Sequence, residues 1–273
     1  MDSPRVMVLT GCASGIGRHL VGALAARGHR VVATDIDEAR LAECEKADGW
    51  PEERVRRQGL DVRSEADWEA ALDAAEPWGG ADVVLNVAGY LKPAWVQDIA
   101  VGDIDLHLDI NVKGVVLGTR AAARRMLARG RGHIVNIGSL ASLAPVPGLG
   151  LYSASKFAVR GFSLAADTEL RPRGVPVSLV MPDAVQTPML DLQVDYEEAA
   201  LTFSGSRPLT VEDLAAVILD EVLPKRPLEI TVPLARGAAA RLANTLPAAS
   251  RLLAPFLAKK GKKAQEGRKR AGR

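Results

Sequence analysis

Seven short runs rich in Val and Ile, separated by longer segments of helical period, constrain this chain more than any other feature. The runs are Arg5–Thr10, Arg30–Asp35, Val55–Leu60, Ala81–Val87, Gly132–Gly138, Val175–Met181 and Leu228–Val232. Helical spacing fills Gly15–Arg27, Glu65–Ala75, Val112–Arg129, Ser153–Leu170 and Val211–Leu223, most of them closed by Gly or Pro. Continuous apolar strands are buried on both faces, and a parallel sheet covered by helices is the arrangement that buries them. The alternation therefore predicts an α/β fold, a doubly wound parallel sheet of seven strands in a single domain.

A chain of 273 residues with 48% hydrophobic and 25% charged residues can bury one large core. No apolar run reaches the ~18 residues a membrane-spanning helix requires, and the N-terminus runs straight into the first strand, so a cytoplasmic protein is expected. Cys12 and Cys44 fall in different elements and read as free thiols. They form no ligand spacing with His19, His29, His107 or His133, and no metal is expected.

The charge is uneven. Residues 259–273 carry eight Lys or Arg against Glu266 alone, leaving the body acidic in a chain of net charge +2. Such a segment cannot offset the entropy of ordering and is expected to be a solvated, disordered tail. Contact with an anionic membrane is the alternative, which would make the protein peripheral to a membrane. Nucleic acid is not expected as a partner, since no aromatic residue is interleaved for base stacking. Before the tail, apolar residues of 234–258 recur at helical spacing around Pro247 and Pro255, giving an amphipathic helical extension. Residues 188–209 mix apolar, acidic, Gly and Pro residues, as suits a mobile flap over a pocket.

Thr10-Gly11-Cys12-Ala13-Ser14-Gly15-Ile16-Gly17 joins the first strand to the first helix. Its glycines permit a tight turn with little bulk, so a pyrophosphate can reach backbone N–H groups and the positive end of a helix dipole. Gly17 is followed by Arg18-His19, which rejects the Gly-Lys-Ser/Thr phosphate loop. Asp35, at the end of the second strand, lies where an acid can accept both ribose hydroxyls and repel a 2′-phosphate, so NAD is favoured over NADP. Arg18 and Arg40 remain alternative phosphate ligands.

Tyr152 and Lys156 are four residues apart, on one side of a helix that begins near Tyr152. An ammonium beside a phenol favours the phenolate, so Lys156 is expected to lower the pKa of Tyr152. Ser139, at the end of the fifth strand, offers a hydroxyl that can orient a substrate oxygen or simply bond its own turn.

Taken in order, these segments resemble the short-chain dehydrogenase/reductase family in its form of ~250 residues and Rossmann fold. The resemblance covers about residues 5 to 232, within a catalytic domain of residues 1–233. The glycine turn is similar to the family's Thr-Gly-x-x-x-Gly-x-Gly, which implies cofactor contacts at Gly11, Ser14, Gly15, Ile16 and Gly17. Asp61-Val62 is similar to its adenine-contacting Asp-Val, and Asn86-Val87-Ala88-Gly89 to its Asn-Asn-Ala-Gly. Asn111 falls at the helix-kinking Asn, and Ser139, Tyr152 and Lys156 at the remaining catalytic positions. Pro182, Val185 and Thr187 match the turn facing the nicotinamide. The resemblance implies that Tyr152 takes the alcohol proton as hydride leaves, that Lys156 also grips the nicotinamide ribose, and that Asn111 relays protons to solvent. It also implies a homodimer or homotetramer.

Two positions depart from the pattern: Val87 replaces the second Asn, and Asp183 replaces a Gly. Asp183 puts the local backbone geometry in question. A non-catalytic NAD-binding redox sensor should have lost Tyr, Lys or Ser, and none is lost. The residues expected to border the substrate are Tyr90, Leu91, Trp95, Leu140, Leu143, Val146, Leu149, Met189, Leu190 and Leu192. Their apolar character points to a hydrophobic alcohol or ketone of lipid, steroid or aryl type.

Overall fold

Every expected strand forms within two residues of its expected bounds in the computed structural model, which describes residues 4–205 and 207–270. They are β1 (Val6–Leu9), β2 (Arg30–Asp35), β3 (Val55–Gly59), β4 (Val83–Asn86), β5 (His133–Ile137), β6 (Val177–Pro182) and β7 (Glu229–Val232). The sheet order is β3-β2-β1-β4-β5-β6-β7, with every neighbouring pair parallel. The connections hold α1 (Gly15–Ala26), α2 (Glu38–Asp48), α3 (Glu65–Asp73), α4 (Val101–Leu108), α5 (Gly114–Arg129), α6 (Gly150–Leu170), α7 (Pro188–Leu192), α8 (Val211–Val217) and α9 (Leu223–Lys225).

Alternate strand residues face opposite helix layers. Met7 and Leu9 of β1 pack with Leu20 and Leu24 of α1 and with Ile218. Val8 and Val32 pack on the other face with Trp68 of α3, Met126 of α5 and Ile134. Each such side chain contributes about 1.5–3 kcal/mol on full burial, so the two layers hold the sheet between them. The order of connection reverses between β1 and β4, and loops leaving their carboxyl ends diverge to leave a crevice there.

The segment before α5 is more elaborate than one helix beginning at Val112. A π-helical turn, Asp109–Lys113, joins α4 to α5 and contains the buried Asn111. The extension forms two helices, α10 (Leu234–Thr245) and α11 (Pro247–Arg270).

The disordered tail expected over 259–273 is helical through Arg270; residues 271–273 lie outside the described residues. Its seat is on the flap. Gly261 lies so close to the chain that a Cβ there would meet the Ala200 carbonyl at 1.9 Å. Buried Gln265 donates Nε2–H bonds to the carbonyls of Gln193 (2.9 Å) and Tyr196 (2.7 Å). Lys262 pairs with Glu197 at 2.5 Å and Lys269 with Asp195 at 3.5 Å. Exposed ion pairs contribute little, so close packing and the two Gln265 bonds carry most of the ordering. The composition of the tail alone could not reveal this, because its partners lie more than 60 residues upstream.

Candidate active site

The crevice between β1 and β4 opens into a cavity of about 430 Å³ floored by the glycine turn. Gly11 and Gly15 adopt φ of 72° and 51°, left-handed values that favour glycine. Gly17 has a different reason to lack a side chain, since a Cβ there would lie 2.2 Å from the Gly11 carbonyl oxygen. Ser14 is the N-cap of α1 but makes no side-chain capping bond, so the first amides of α1 stand ready for an anion. Thr10 Oγ1 accepts from the N–H groups of Val87 (2.9 Å) and Ala88 (3.0 Å), fastening this turn to the loop after β4.

Gly11, Ser14, Gly15, Ile16, Gly17, Asp35, Asp61, Val62, Ala88, Gly89 and Thr187 all line the cavity, as the sequence leads one to expect. The Asp35 carboxylate accepts from the Ala13 N–H at 2.9 Å and the Asp37 N–H at 3.1 Å, which orients it at the cavity edge. Asp61 is held by Arg63 through two-pronged bonds of 2.6 to 3.0 Å, and this guanidinium keeps its carboxyl below the usual range. Ile36, Leu60, Arg63, Leu106, Ile110 and Met189 also line the cavity. Sequence reasoning missed them because they carry no motif of their own.

Five expected cofactor contacts do not line the cavity: Asn86, Pro182, Val185, and Tyr152 and Lys156 of α6. Asn86 is turned into a buried polar network, donating to Asn136 Oδ1 at 2.7 Å, while Asn136 donates to Ser163 Oγ at 2.9 Å. This network ties β4 and β5 to α6 and takes Asn86 away from the cavity wall. Pro182 is buried within the last register of β6 and β7, and Val185 packs into the core. A glycine cradle at a helix start and a carboxylate at the far end fit a dinucleotide without Asn86, Pro182 or Val185.

Beyond Gly89 stand the residues of α6. Lys156 is buried; its Nζ donates to the Ile137 carbonyl at 2.9 Å and lies 5.5 Å from the Tyr152 ring centroid. A Cβ on Gly89 would lie 3.9 Å from the same Nζ, so the loop after β4 and α6 converge on one spot. Asn111 clamps that loop from the other side. Its Oδ1 accepts from the Tyr90 N–H at 2.7 Å, and its Nδ2 donates to the Tyr90 carbonyl (2.9 Å) and to Ser155 Oγ (3.0 Å). Ser139 bonds its own turn, its Oγ accepting from the Ala141 N–H at 3.1 Å, and the hydroxyl is near enough to Tyr152 to favour the ionised phenol.

The electrostatics differ from expectation. Burial pushes the Tyr152 phenol up to about 12, opposed by the Ser139 hydrogen bond, and pushes the Lys156 ammonium down to about 8. Lys156 does not lower the phenol as expected: its Nζ is tethered to the Ile137 carbonyl and lies 5.5 Å from the ring centroid.

Of the residues expected to wall the substrate pocket, Leu91, Leu143, Leu149 and Leu190 pack inward as core. Leu140 packs against that core, Tyr90, Val146 and Met189 are half-buried, and Trp95 and Leu192 are exposed.

Asp183 keeps the sheet geometry, its N–H donating to the Val232 carbonyl at 2.8 Å, and its carboxylate is taken by Arg236 of α10 at 2.7 Å. The departure from Gly is thus matched by a cation 53 residues away. Removing that cation in Arg236→Ala should lower stability by about 1–2 kcal/mol, as for a largely buried carboxylate that loses its partner. Asp183→Gly added to this variant should recover most of the loss in denaturant unfolding.

A doubly wound parallel sheet with a glycine cradle at its switch point and Ser, Tyr and Lys beside it is the architecture of a dehydrogenase. The short chain dehydrogenase family model matches residues 5–197, and the chain belongs to that family of NAD(P)-dependent oxidoreductases. It is 36% identical over 221 residues to a 3-alpha-(or 20-beta)-hydroxysteroid dehydrogenase of Mycobacterium bovis, covering 80% of this chain and 83% of that protein. To L-2,3-butanediol dehydrogenase of Corynebacterium glutamicum it is 33% identical over 232 residues, covering 78% and 90%. A short chain dehydrogenase/reductase from Burkholderia phymatum, solved in complex with NAD, matches with a TM-score of 0.80 at 28% identity, covering 89% of this chain and 93% of that one.

Proposed function

We propose that the protein interconverts a hydrophobic secondary alcohol and its ketone with NAD(H), Tyr152 moving the proton. The observation that carries this reading is the convergence of Tyr152 and Lys156, whose Nζ lies 5.5 Å from the phenol ring and 3.9 Å from where a Cβ of Gly89 would stand, on the edge of the glycine-lined cavity. A bound nicotinamide dinucleotide supplies the hydride acceptor or donor. Ser139 Oγ orients the substrate oxygen, and Tyr152 gives or takes its proton. Lys156, its Nζ beside Gly89 at the cavity edge, holds the nicotinamide ribose of the bound cofactor in front of Tyr152. Asn111 fixes the Gly89–Tyr90 loop, and its main-chain carbonyl offers the route by which Lys156 exchanges protons with solvent.

The similarity to a hydroxysteroid dehydrogenase and the half-buried Tyr90, Val146 and Met189 support an apolar substrate. For the basic tail, packing on the flap is favoured over contact with a membrane, since Lys262, Arg268 and Lys269 are spent on flap residues. Among the described residues no helix is long and apolar enough to cross a membrane. The direct test is NADH formation with a panel of secondary alcohols. Oxidation of apolar members supports the reading, and inertness toward the whole panel overturns it.

The preference for NAD rests on Asp35. Replacing Asp35 by Ala and exposed, cavity-lining Ile36 by Arg should raise the ratio of NADP to NAD use about a hundredfold, as carboxylate repulsion gives way to a charge-assisted bond. Part of the gain will be offset by a looser turn, because Asp35 also holds the Ala13 N–H. A wild-type enzyme that already prefers NADPH contradicts the assignment.

A further inference from the structure

The clamp that Asn111 makes on the Gly89–Tyr90 loop is continued by two residues of α4. Asp103 and His107 precede Asn111 at intervals of four, and residues so spaced share one face of a helix. That face is turned to residues 90–92, the segment that leaves the cofactor cavity after Gly89.

His107 is buried, and its Nδ1 lies 2.6 Å from the Asp103 carbonyl oxygen, so that nitrogen carries the proton. Nε2 is left to accept from the Lys92 N–H at 3.4 Å. Burial holds the imidazole below the usual histidine value, which keeps the ring neutral and able to accept. The ring also meets Tyr90 edge to face, with centroids 4.8 Å apart. Asp103 takes both side chains of the same segment: Oδ1 accepts from the Tyr90 phenol at 2.9 Å, and Oδ2 pairs with Lys92 at 2.9 Å. An aliphatic residue at 107 would fill the buried space without the desolvation a histidine bears, so packing alone does not account for it.

What this segment sets in place is Gly89. A Cβ there would stand 3.5 Å from Asn111 Oδ1, 3.9 Å from Lys156 Nζ and 3.9 Å from Met189 Cε, at the cavity edge. The other side of Gly89 is held separately, by Thr10 on Val87 and Ala88. Gly89 thus lies between two anchors, and the second belongs to the polar stripe on α4.

We propose that Asp103 and His107 are positioning residues: they fix residues 90–92, and through them the Gly89 wall that sets the nicotinamide end of the cofactor before Tyr152. The inference rests on the reading of the protein as an alcohol/ketone oxidoreductase, and it extends the reaction machinery to two residues that are not among the described residues lining the cavity. The glycine turn and Asp35, which serve the other end of the cofactor, lie beyond the Thr10 anchor and do not depend on the stripe.

The experiment compares His107→Leu, which fills the space without an acceptor, with His107→Gln, whose side-chain oxygen can take the place of Nε2. On the full chain it measures kcat for oxidation of 2-octanol and the dissociation constants of NADH and of ADP-ribose, which lacks the nicotinamide. The Leu variant should lower kcat at least about tenfold, since a small misplacement of the reacting groups is costly. It should weaken NADH about fivefold, the scale of one lost hydrogen bond, and leave ADP-ribose within about twofold of wild type. His107→Gln should bring kcat and NADH binding back to within about twofold of wild type. A Leu variant with wild-type kcat and NADH binding overturns the proposal, as does ADP-ribose weakened as much as NADH. A Gln variant as impaired as the Leu variant also overturns it, by making His107 a packing residue only. Where His107→Leu does not fold, Asp103→Ala should show the same losses at about fivefold, while Asp103→Asn, which keeps an acceptor for the Tyr90 phenol, stays within about twofold. Equal behaviour of those two variants overturns the proposal. A wild-type protein that oxidises no alcohol sinks the activity alone, because the comparison of NADH with ADP-ribose still decides whether the stripe positions the nicotinamide end.

Discussion

Replacing Tyr152 by Phe should lower kcat for alcohol oxidation by about 10²–10⁴-fold while leaving the dissociation constant for NAD near wild type. The change removes one hydroxyl. The ring that Lys156 faces at 5.5 Å stays, and so does the Lys156 bond to Ile137, so the cofactor cavity keeps its walls. What is lost is the hydroxyl beside Ser139 that exchanges a proton with the substrate oxygen. The pH dependence follows from the same site. With the phenol pushed up to about 12, Tyr152 is protonated at neutral pH and ready to donate, as ketone reduction requires. Oxidation needs the phenolate, so its kcat/KM should climb with pH over the alkaline range while reduction stays flat until the phenol begins to ionise. A Phe variant that keeps more than a tenth of wild-type turnover would remove Tyr152 from the mechanism.

The features legible in the sequence were those whose physical cause is local. Gly11 and Gly15 are demanded by their own backbone angles, Gly17 by a carbonyl six residues away, and Asp35 stands at the end of its own strand, beside the glycine turn whose Ala13 N–H it accepts. The strands were legible because burial on both faces leaves an uninterrupted apolar run such as Val6–Leu9. Helix α2 was missed because only Leu41 and Cys44 of its eleven residues are buried, which leaves almost no apolar stripe to read. Pairings between distant segments were invisible for a different reason. Asp183 with Arg236, Asn86 with Asn136 and Gln265 with the Gln193 carbonyl are each set by tertiary proximity across at least 50 residues. The tail shows the consequence most clearly: a segment too polar to order itself is ordered by acceptors and carboxylates that the flap presents. The Lys156–Tyr152 pair was found by spacing and mistaken in its electrostatics, since spacing says nothing of burial or of the carbonyl that tethers Nζ.

That burial has a cost that should be measurable as a gain in stability when the charge is removed. Lys156 falls from an ordinary value of 10.5 to about 8, so the folded protein releases this proton more readily than the unfolded chain does. Between those two values the unfolded state binds more protons, and stability rises with pH through that window. Below about pH 8 the folded protein bears the full penalty of a buried ammonium, on the order of 3 kcal/mol for a shift of this size. Near pH 10.5 the penalty is gone. Lys156→Met keeps the length of the side chain, removes the charge and leaves the Ile137 carbonyl without its donor, which costs back about 1 kcal/mol. The variant should therefore be more stable than wild type by about 2 kcal/mol at pH 7, with the advantage disappearing as pH approaches 10.5. Urea unfolding of the cofactor-free proteins at the two pH values measures this, and a variant equal to or weaker than wild type at pH 7 contradicts it. The same variant should lose oxidation of the alcohol almost completely, because the ammonium that holds the nicotinamide ribose in front of Tyr152 is gone. A gain in stability joined to a loss of turnover is what distinguishes a lysine held in place for chemistry from one held for the fold.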